Sequence, residues 1–403
     1  MISGNDKKRL EALAHKTLET ANSERNKNLK EKWLNHNTFK GTDQPPVTVE
    51  LWTFASEIIP PMLECKDEAA RGLEHSLLYP MICHDIFKDD TVINDHFPIN
   101  YGFGFKPFGL DPKVIHEDVG IAYHFDPVIV DLKEDFGKLS KSSWWSDKAS
   151  AADTYNLYSD LIGHILPVKY SGRSLTCSPT QNLVHLMGME NMFFAMGDYP
   201  ELFSKVMDNL ANDYVEYFDF LAREGVLLST TENQQLCQGT VCYTDELSEK
   251  PQSPHDIWGY IDSQETVGVS KDMFEQCVFP CIKKVAASYG LLSYGCCEPV
   301  DVFWDGCLDT LTNMRKVSIS PWCNEEFMGE RLQGKNIVYL RKSSPNFLGV
   351  GTTLDEDALK SHILKTKNAA RGCTLEFAQR DVYTVGGNIA KVARYVEIVK
   401  GMF

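Results

Sequence analysis

The sequence has no apolar run of about 18 residues, so no membrane-spanning helix is expected. It also lacks a basic stretch with interleaved aromatics. With Asp+Glu 56 against Lys+Arg 40 the formal charge is -16, which repels a phosphate backbone and argues against a nucleic-acid partner. No Gly-x-Gly-x-x-Gly follows an apolar strand-like segment and no Gly-Lys-Ser/Thr phosphate loop is present, which excludes the usual dinucleotide and nucleoside-triphosphate sites. No His-Glu-x-x-His and no Gly-x-Ser-x-Gly occur, so neither a helix-borne zinc protease nor an α/β-hydrolase elbow is expected. The start, Met1-Ile2-Ser3-Gly4-Asn5-Asp6-Lys7-Lys8-Arg9, runs into a charged amphipathic stretch and not into a signal peptide's apolar core, so a cytoplasmic location is expected.

What is present is an ordinary globular composition, 43% hydrophobic and 24% charged over 403 residues. Twelve cysteines spread from Cys65 to Cys373 are too sparse for a disulfide framework. In a reducing compartment they are free thiols or metal ligands. The first 40 residues carry nine Lys/Arg and five Asp/Glu, net +4, and the remaining 363 therefore carry -20. Residues 1–44 read as a helical arm, with Leu10, Leu13, Ala14 and Leu18 near helical spacing, and residues 45–403 as the body.

In the body, Val47 to Trp52 alternates like a first strand, residues from about Pro80 to Cys177 are irregular, and Pro200 opens a long helix to about Arg223. From Gly225 onward short apolar strands alternate with helices. Strands are expected at 226–229, 256–261, 290–294, 316–320, 336–340 and 373–377, with one helix from Ser270 to about Tyr289 and further helices opened by Pro299, Asn324, Asp355 and Asn388. That rhythm belongs to parallel βα units, and the count suits a (β/α)8 TIM barrel better than an open sheet.

In such a barrel the chemistry sits at the carboxyl ends of the strands. The exits are Trp52 to Glu57, Thr231-Glu232-Asn233, Asp262-Ser263-Gln264-Glu265, Tyr294-Gly295-Cys296-Cys297-Glu298-Pro299, Ser320 to Cys323, Arg341 to Ser344, and Glu376 to Asp381. Thiolates and carboxylates are ligands for Zn²⁺, and alternation along an extended strand points Tyr294, Cys296 and Glu298 one way and Cys297 the other. Glu376 or Cys373 would add a ligand from the last strand; a turn beginning at Gly295 would make Cys297 the ligand instead. Three readings of the cluster stand: a metal centre, a metal-free catalytic or redox thiol, and packing. Cys237 with Cys242, and Cys277 with Cys281, lack matching partners.

Pro179-Thr180-Gln181-Asn182-Leu183, Leu186-Met187-Gly188-Met189-Glu190-Asn191 and Asp198-Tyr199-Pro200-Glu201-Leu202, followed by a long helix and Glu224-Gly225, resemble the uroporphyrinogen decarboxylase superfamily. The resemblance runs from about residue 45 to the end. The porphyrinogen decarboxylases carry an Arg-Gln-Ala-Gly-Arg motif, whereas the first exit here, Trp52-Thr53-Phe54-Ala55, has no arginine, and the chain has only 11 Arg. The superfamily's other branch, zinc-dependent methyltransferases working with a corrinoid protein, typically reads His-x-Cys-Gly where this chain has Tyr294-Gly295-Cys296-Cys297. The resemblance thus implies methyl exchange between a small methylated substrate, such as an aryl methyl ether or a methylamine, and a methylcobalamin. No Asp-x-His-x-x-Gly cobalamin motif occurs, so the corrinoid would arrive on a separate protein. The expected site comprises Tyr294 and Cys297 in catalysis, Trp52, Phe54, Glu232, Gln264 and Lys342 against the substrate, and Cys296, Glu298, Glu376 and Cys373 around zinc, with Tyr101, Phe103 and Phe105 as further aromatic lining. A metal-free decarboxylase or lyase of a small aromatic acid, bound by Arg341, Lys342 or His124, is the alternative enzyme. A corrinoid-protein chaperone is the non-enzymatic reading.

Overall fold

The computed structural model describes residues 2–42, 44–116, 123–230 and 236–403. Two helices open the chain, α1 (Gly4–Ala21) and α2 (Glu24–Asn37), each started by a serine, Ser3 and Ser23, whose side-chain oxygen accepts a backbone N–H of the first turn. Leu10 and Ala14 of α1 are buried against the body, as the apolar stripe required.

Seven strands make one parallel sheet: β1 (Val47–Val49), then, after six strands outside it, β8 (Leu175–Cys177) at its edge, β9 (Trp258–Ile261), β10 (Leu291–Tyr294), β11 (Met314–Ile319), β12 (Val338–Arg341) and β13 (Thr374–Gln379). The intervening six are β2 (Phe97–Asn100), β3 (Gly102–Lys106), β4 (Lys113–His116), β5 (Tyr123–Asp126), β6 (Ser143–Asp147) and β7 (Val168–Ser171). Its order is β1-β13-β12-β11-β10-β9-β8, with every neighbouring pair parallel. β2 pairs in parallel with β7, while β3 with β6 and β4 with β5 are antiparallel ribbons, which gives structure to part of the region that read as irregular.

Alternation divides the sheet into two faces. Ile261, Leu292, Tyr294, Val317, Ile319 and Tyr339 join the largest apolar cluster, together with Phe203, Val206, Met207, Leu210, Tyr214, Tyr217, Phe218 and Leu221 of the long helix Pro200–Arg223. The three-and-four spacing of those helix residues is what lets one face of the helix bury continuously. The opposite sheet face carries Trp258, Tyr260, Ser293, Lys316, Ser318 and Glu376, an aromatic and polar set that has to satisfy itself internally.

Three expected elements differ. Residues 226–229 make a single bridge, Leu227 with Arg173, and not a strand. The chain there is pressed against Gly172, where a Cβ would meet the Leu227 carbonyl oxygen at 2.1 Å. The helix expected from Ser270 to Tyr289 is two helices, Lys271–Cys277 and Phe279–Ala286, because Pro280 has no N–H to offer the preceding turn. Pro299 opens only a short 3-10 turn, Val300–Phe303. Among the described residues no helix is long and apolar enough to cross a membrane.

Candidate active site

The exits of β1, β9, β10, β12 and β13 converge on a compact set of thiols and charges. β10 ends at Tyr294 and the next residue, Gly295, has φ 96°, a conformation that favours glycine. A Cβ there would also approach Ser318 Cβ and Val300 Cγ1 at 3.2 Å. This turn breaks the strand alternation. Cys296 and Cys297 consequently lie side by side, with their Sγ atoms 3.6 Å apart.

Three side chains hold the turn. Glu298, fully buried, accepts the backbone N–H of Ser263 at 3.0 Å and of Cys296 at 2.8 Å, tying the exit of β9 to that of β10. Lys342 Nζ donates to the carbonyls of Gly295 and Cys296 at 3.3 and 3.0 Å, and Ser318 Oγ donates to the Cys296 carbonyl at 2.8 Å. Beyond β13, Arg380 donates from Nε to Glu50 Oε2 at 3.0 Å, meets Asp381 at 3.0 Å, and points Nη1 at Cys296 Sγ, 3.4 Å away. Cys297 Sγ donates to Asp381 Oδ2 at 3.2 Å. The Cys296 thiol is raised well above its usual pKa, chiefly by its hydrogen bond to Cys297 and then by burial.

Asp262, 5% exposed, follows β9. Tyr260 donates its hydroxyl to Asp262 Oδ2 at 2.8 Å, and the Ser178 side chain also interacts with this carboxyl. Burial first, and then the charges of Glu298 and Glu265, push its pKa up to about 8, so the carboxyl is largely protonated at neutral pH. Glu265 accepts from Thr180 Oγ1 at 2.8 Å and is likewise raised, mainly by burial.

The expected residues are distributed unevenly over this arrangement. Cys296, Cys297, Glu298 and Lys342 meet in it. Tyr294 does not point with Cys296: it faces the helix layer, fully buried, with its hydroxyl 2.7 Å from Ser263 Oγ. Phe54 packs in the core beside Phe87, because the short helix after β1 turns it inward. Trp52 is 59% exposed at the rim and donates Nε1 to Glu50. Gln264 is exposed on the turn Gln264–Thr266, and Glu232 lies outside the described residues. Tyr101, Phe103 and Phe105 belong to the excursion between β2 and β7, where Phe105 stacks on Tyr214 and Tyr101 on Tyr170.

Glu376 and Cys373 are engaged away from Cys296. Glu376 accepts from Lys316 Nζ at 2.9 and 2.7 Å and lies 2.9 Å from Nε2 of His36, which α2 inserts together with Trp33 under the sheet. Although burial pushes the Glu376 carboxyl up, Lys316 and His36 outweigh it and hold it below the usual range. Cys373 precedes β13, donates to the Gly329 carbonyl, and lines a cavity of about 390 Å³ that His36 also lines. The two vicinal thiols have nearly the separation of ligands sharing a tetrahedral zinc, about 3.8 Å for bonds of ~2.3 Å. No three His, Cys, Asp or Glu side chains gather as ligands among the described residues, however, and the Arg380 guanidinium already stands against Cys296. As placed, these residues do not fit the expected zinc centre.

Sequence reasoning passed over Glu50, Asp262, Arg380 and Asp381. Three of them stand in the strand exits as read, and the usable signal was a charged residue immediately after an apolar strand.

No protein-family model and no curated protein sequence matches the chain. Among solved structures, a methyltransferase from Methanosarcina mazei superposes with a TM-score of 0.52 at 12% identity, covering 93% of this chain and 98% of that one. The likeness is one of fold. A B12-independent methionine synthase from Shewanella sp. W3-18-1 in complex with selenomethionine matches 75% of each chain at 11% identity, with a TM-score of 0.27 that is too low to support a structural inference.

Proposed function

We propose that the chain is a (β/α)8-barrel methyltransferase, which exchanges a methyl group between a small methylated substrate and a corrinoid carried on a separate protein. The barrel reading is supported by eight parallel strand positions: β1, β2, the pair β7 and β8 separated only by Gly172-Arg173-Ser174, and β9 to β13, with β1 hydrogen-bonded back to β13. A structural neighbour that covers nearly the whole chain is itself named a methyltransferase, which agrees with this reading.

The observation that carries the chemistry is Asp262, a buried carboxyl whose pKa is pushed up to about 8, one residue before Ser263, whose N–H shares Glu298 with that of Cys296. Demethylating an ether or amine requires a proton on the departing heteroatom, and a carboxyl protonated at neutral pH supplies it. The reduced corrinoid supplies the nucleophile that takes the methyl group. Arg380 and Lys342 anchor the thiol turn through Cys296 at the same strand exits as the acid. Trp52 offers an aromatic face at the rim, suited to an aryl ether or a methylammonium. Since the placed donors do not form a zinc set, no step runs through a metal.

The decarboxylase alternative needs a cation for the substrate carboxylate. Lys342 is spent on two carbonyls, Arg380 on Glu50 and Asp381, and Arg341 on Glu325 at 2.9 Å. The test is product analysis with a panel of aryl methyl ethers and methylamines, with and without a reduced corrinoid protein. Phenol or amine formed only in its presence supports methyl exchange; CO₂ released from aromatic acids without it would transfer the chain to the alternative.

A further inference from the structure

We propose that Cys296 and Cys297 are a redox-active vicinal pair, which a small organic disulfide oxidises to a Cys296–Cys297 disulfide. The Sγ atoms are already 3.6 Å apart, so closing the bond, about 2.0 Å long, needs a side-chain movement of less than 2 Å. Their surroundings differ in a way that orders the steps. Cys297 is half-buried and within reach of a solute, whereas Cys296 is only 3% exposed.

In the first step the Cys297 thiol passes its proton to Asp381 Oδ2, 3.2 Å away, and its sulfur attacks the disulfide RSSR. One RS⁻ leaves and a mixed disulfide forms on Cys297. In the second step Cys296 gives its proton to the departed RS⁻. The resulting thiolate, with Arg380 Nη1 at 3.4 Å to stabilise it, attacks the Cys297 sulfur, and the second RS⁻ departs to be protonated by Asp381. Two thiols lose two electrons and two protons, and one RSSR becomes two RSH. Adjacent Cα atoms are about 3.8 Å apart, less than the ~4.4 Å minimum usual across a disulfide, so the product is strained and easily reduced. Gly295, at φ 96°, gives the backbone before the pair the freedom to adjust.

The full chain, reduced and then treated with oxidised glutathione, is alkylated and peptide-mapped by mass spectrometry. The expected product is a peptide lighter by two hydrogens, with Cys296 and Cys297 both unalkylated, Cys307 alkylated, and full reversal by dithiothreitol. Cys296→Ser should retain one glutathione on Cys297, and Cys297→Ser should leave Cys296 unmodified. A wild-type chain that keeps glutathione on Cys297 while Cys296 stays alkylatable, or that reacts at neither, overturns the proposal. Methyl transfer is not read in this experiment, so its failure is separable from failure of the proposed function.

Discussion

Replacing Glu376 with alanine isolates what this carboxylate does. In the folded chain it neutralises Lys316, whose ammonium is buried under the sheet 5.2 Å from the Trp33 ring and 5.9 Å from that of Trp258. Glu376→Ala takes away the carboxylate paired with that ammonium among the described residues, a change worth about 3–5 kcal/mol. Against a total stability of roughly 5–15 kcal/mol this is a large share. In urea, with a slope of about 3 kcal/mol per molar, the unfolding midpoint should fall by about 1–1.7 M. The double variant Lys316→Met/Glu376→Leu removes both charges, and about the wild-type midpoint should return, because an apolar pair of similar volume often substitutes for a buried ion pair at no net cost. A single variant within about 1 kcal/mol of wild type, or a double variant as unstable as the single, would refute the structural role assigned to Glu376.

Asp262→Asn should separate activity from stability: a folded carboxyl raised to about 8 disfavours folding progressively from its unfolded value of 3.8 upward, so the variant should be more stable than wild type at pH 7 while turnover falls by about 10²–10⁴-fold. Turnover of the wild type should itself decline as pH rises through about 8, when the proton donor ionises. His362 is held at about 4, mainly by burial and then by Arg341 and Lys365, whereas unfolded it titrates near 6.5. Wild type should therefore lose stability relative to His362→Gln between pH 6.5 and about 4, with a constant difference outside that window, as chemical denaturation across pH would show. Gly295→Ala should cost about 1–3 kcal/mol, because alanine must occupy the positive-φ region against Ser318 and Val300, and it should slow disulfide closure between the vicinal thiols as the turn shifts.

The closing βα units were legible because each strand is a short apolar run bounded by turn residues, and β10 to β13 fall within a few residues of the expected bounds. The segment 226–229 has the same local pattern, yet it bridges only to Arg173, in the connection between β7 and β8, a fact of tertiary packing that periodicity does not carry. The thiol pair was legible from the strand-exit rule, and the Gly295 turn, left open between two geometries, decides which way the thiols point. Glu376 was misleading for a physical reason. Its alternation correctly turns it to the inner face, but its partners are Lys316 and His36, the latter some 340 residues away on α2, and no local pattern reveals such a pairing. Asp262 was inconspicuous because its ionisation depends on burial beside Glu298 and Glu265, which only the folded chain assembles.

The most direct test is rapid mixing of the chain with a reduced corrinoid protein and a methylated substrate that the product panel has identified, following the cobalt absorption spectrum. Methyl exchange through a proton-donating Asp262 predicts conversion of Co(I) to methyl-Co(III) at a rate that depends on the chain and falls at least about 10²-fold in Asp262→Asn. Conversion at the same rate in that variant, or no spectral change with wild type while the same substrate is consumed, would contradict it.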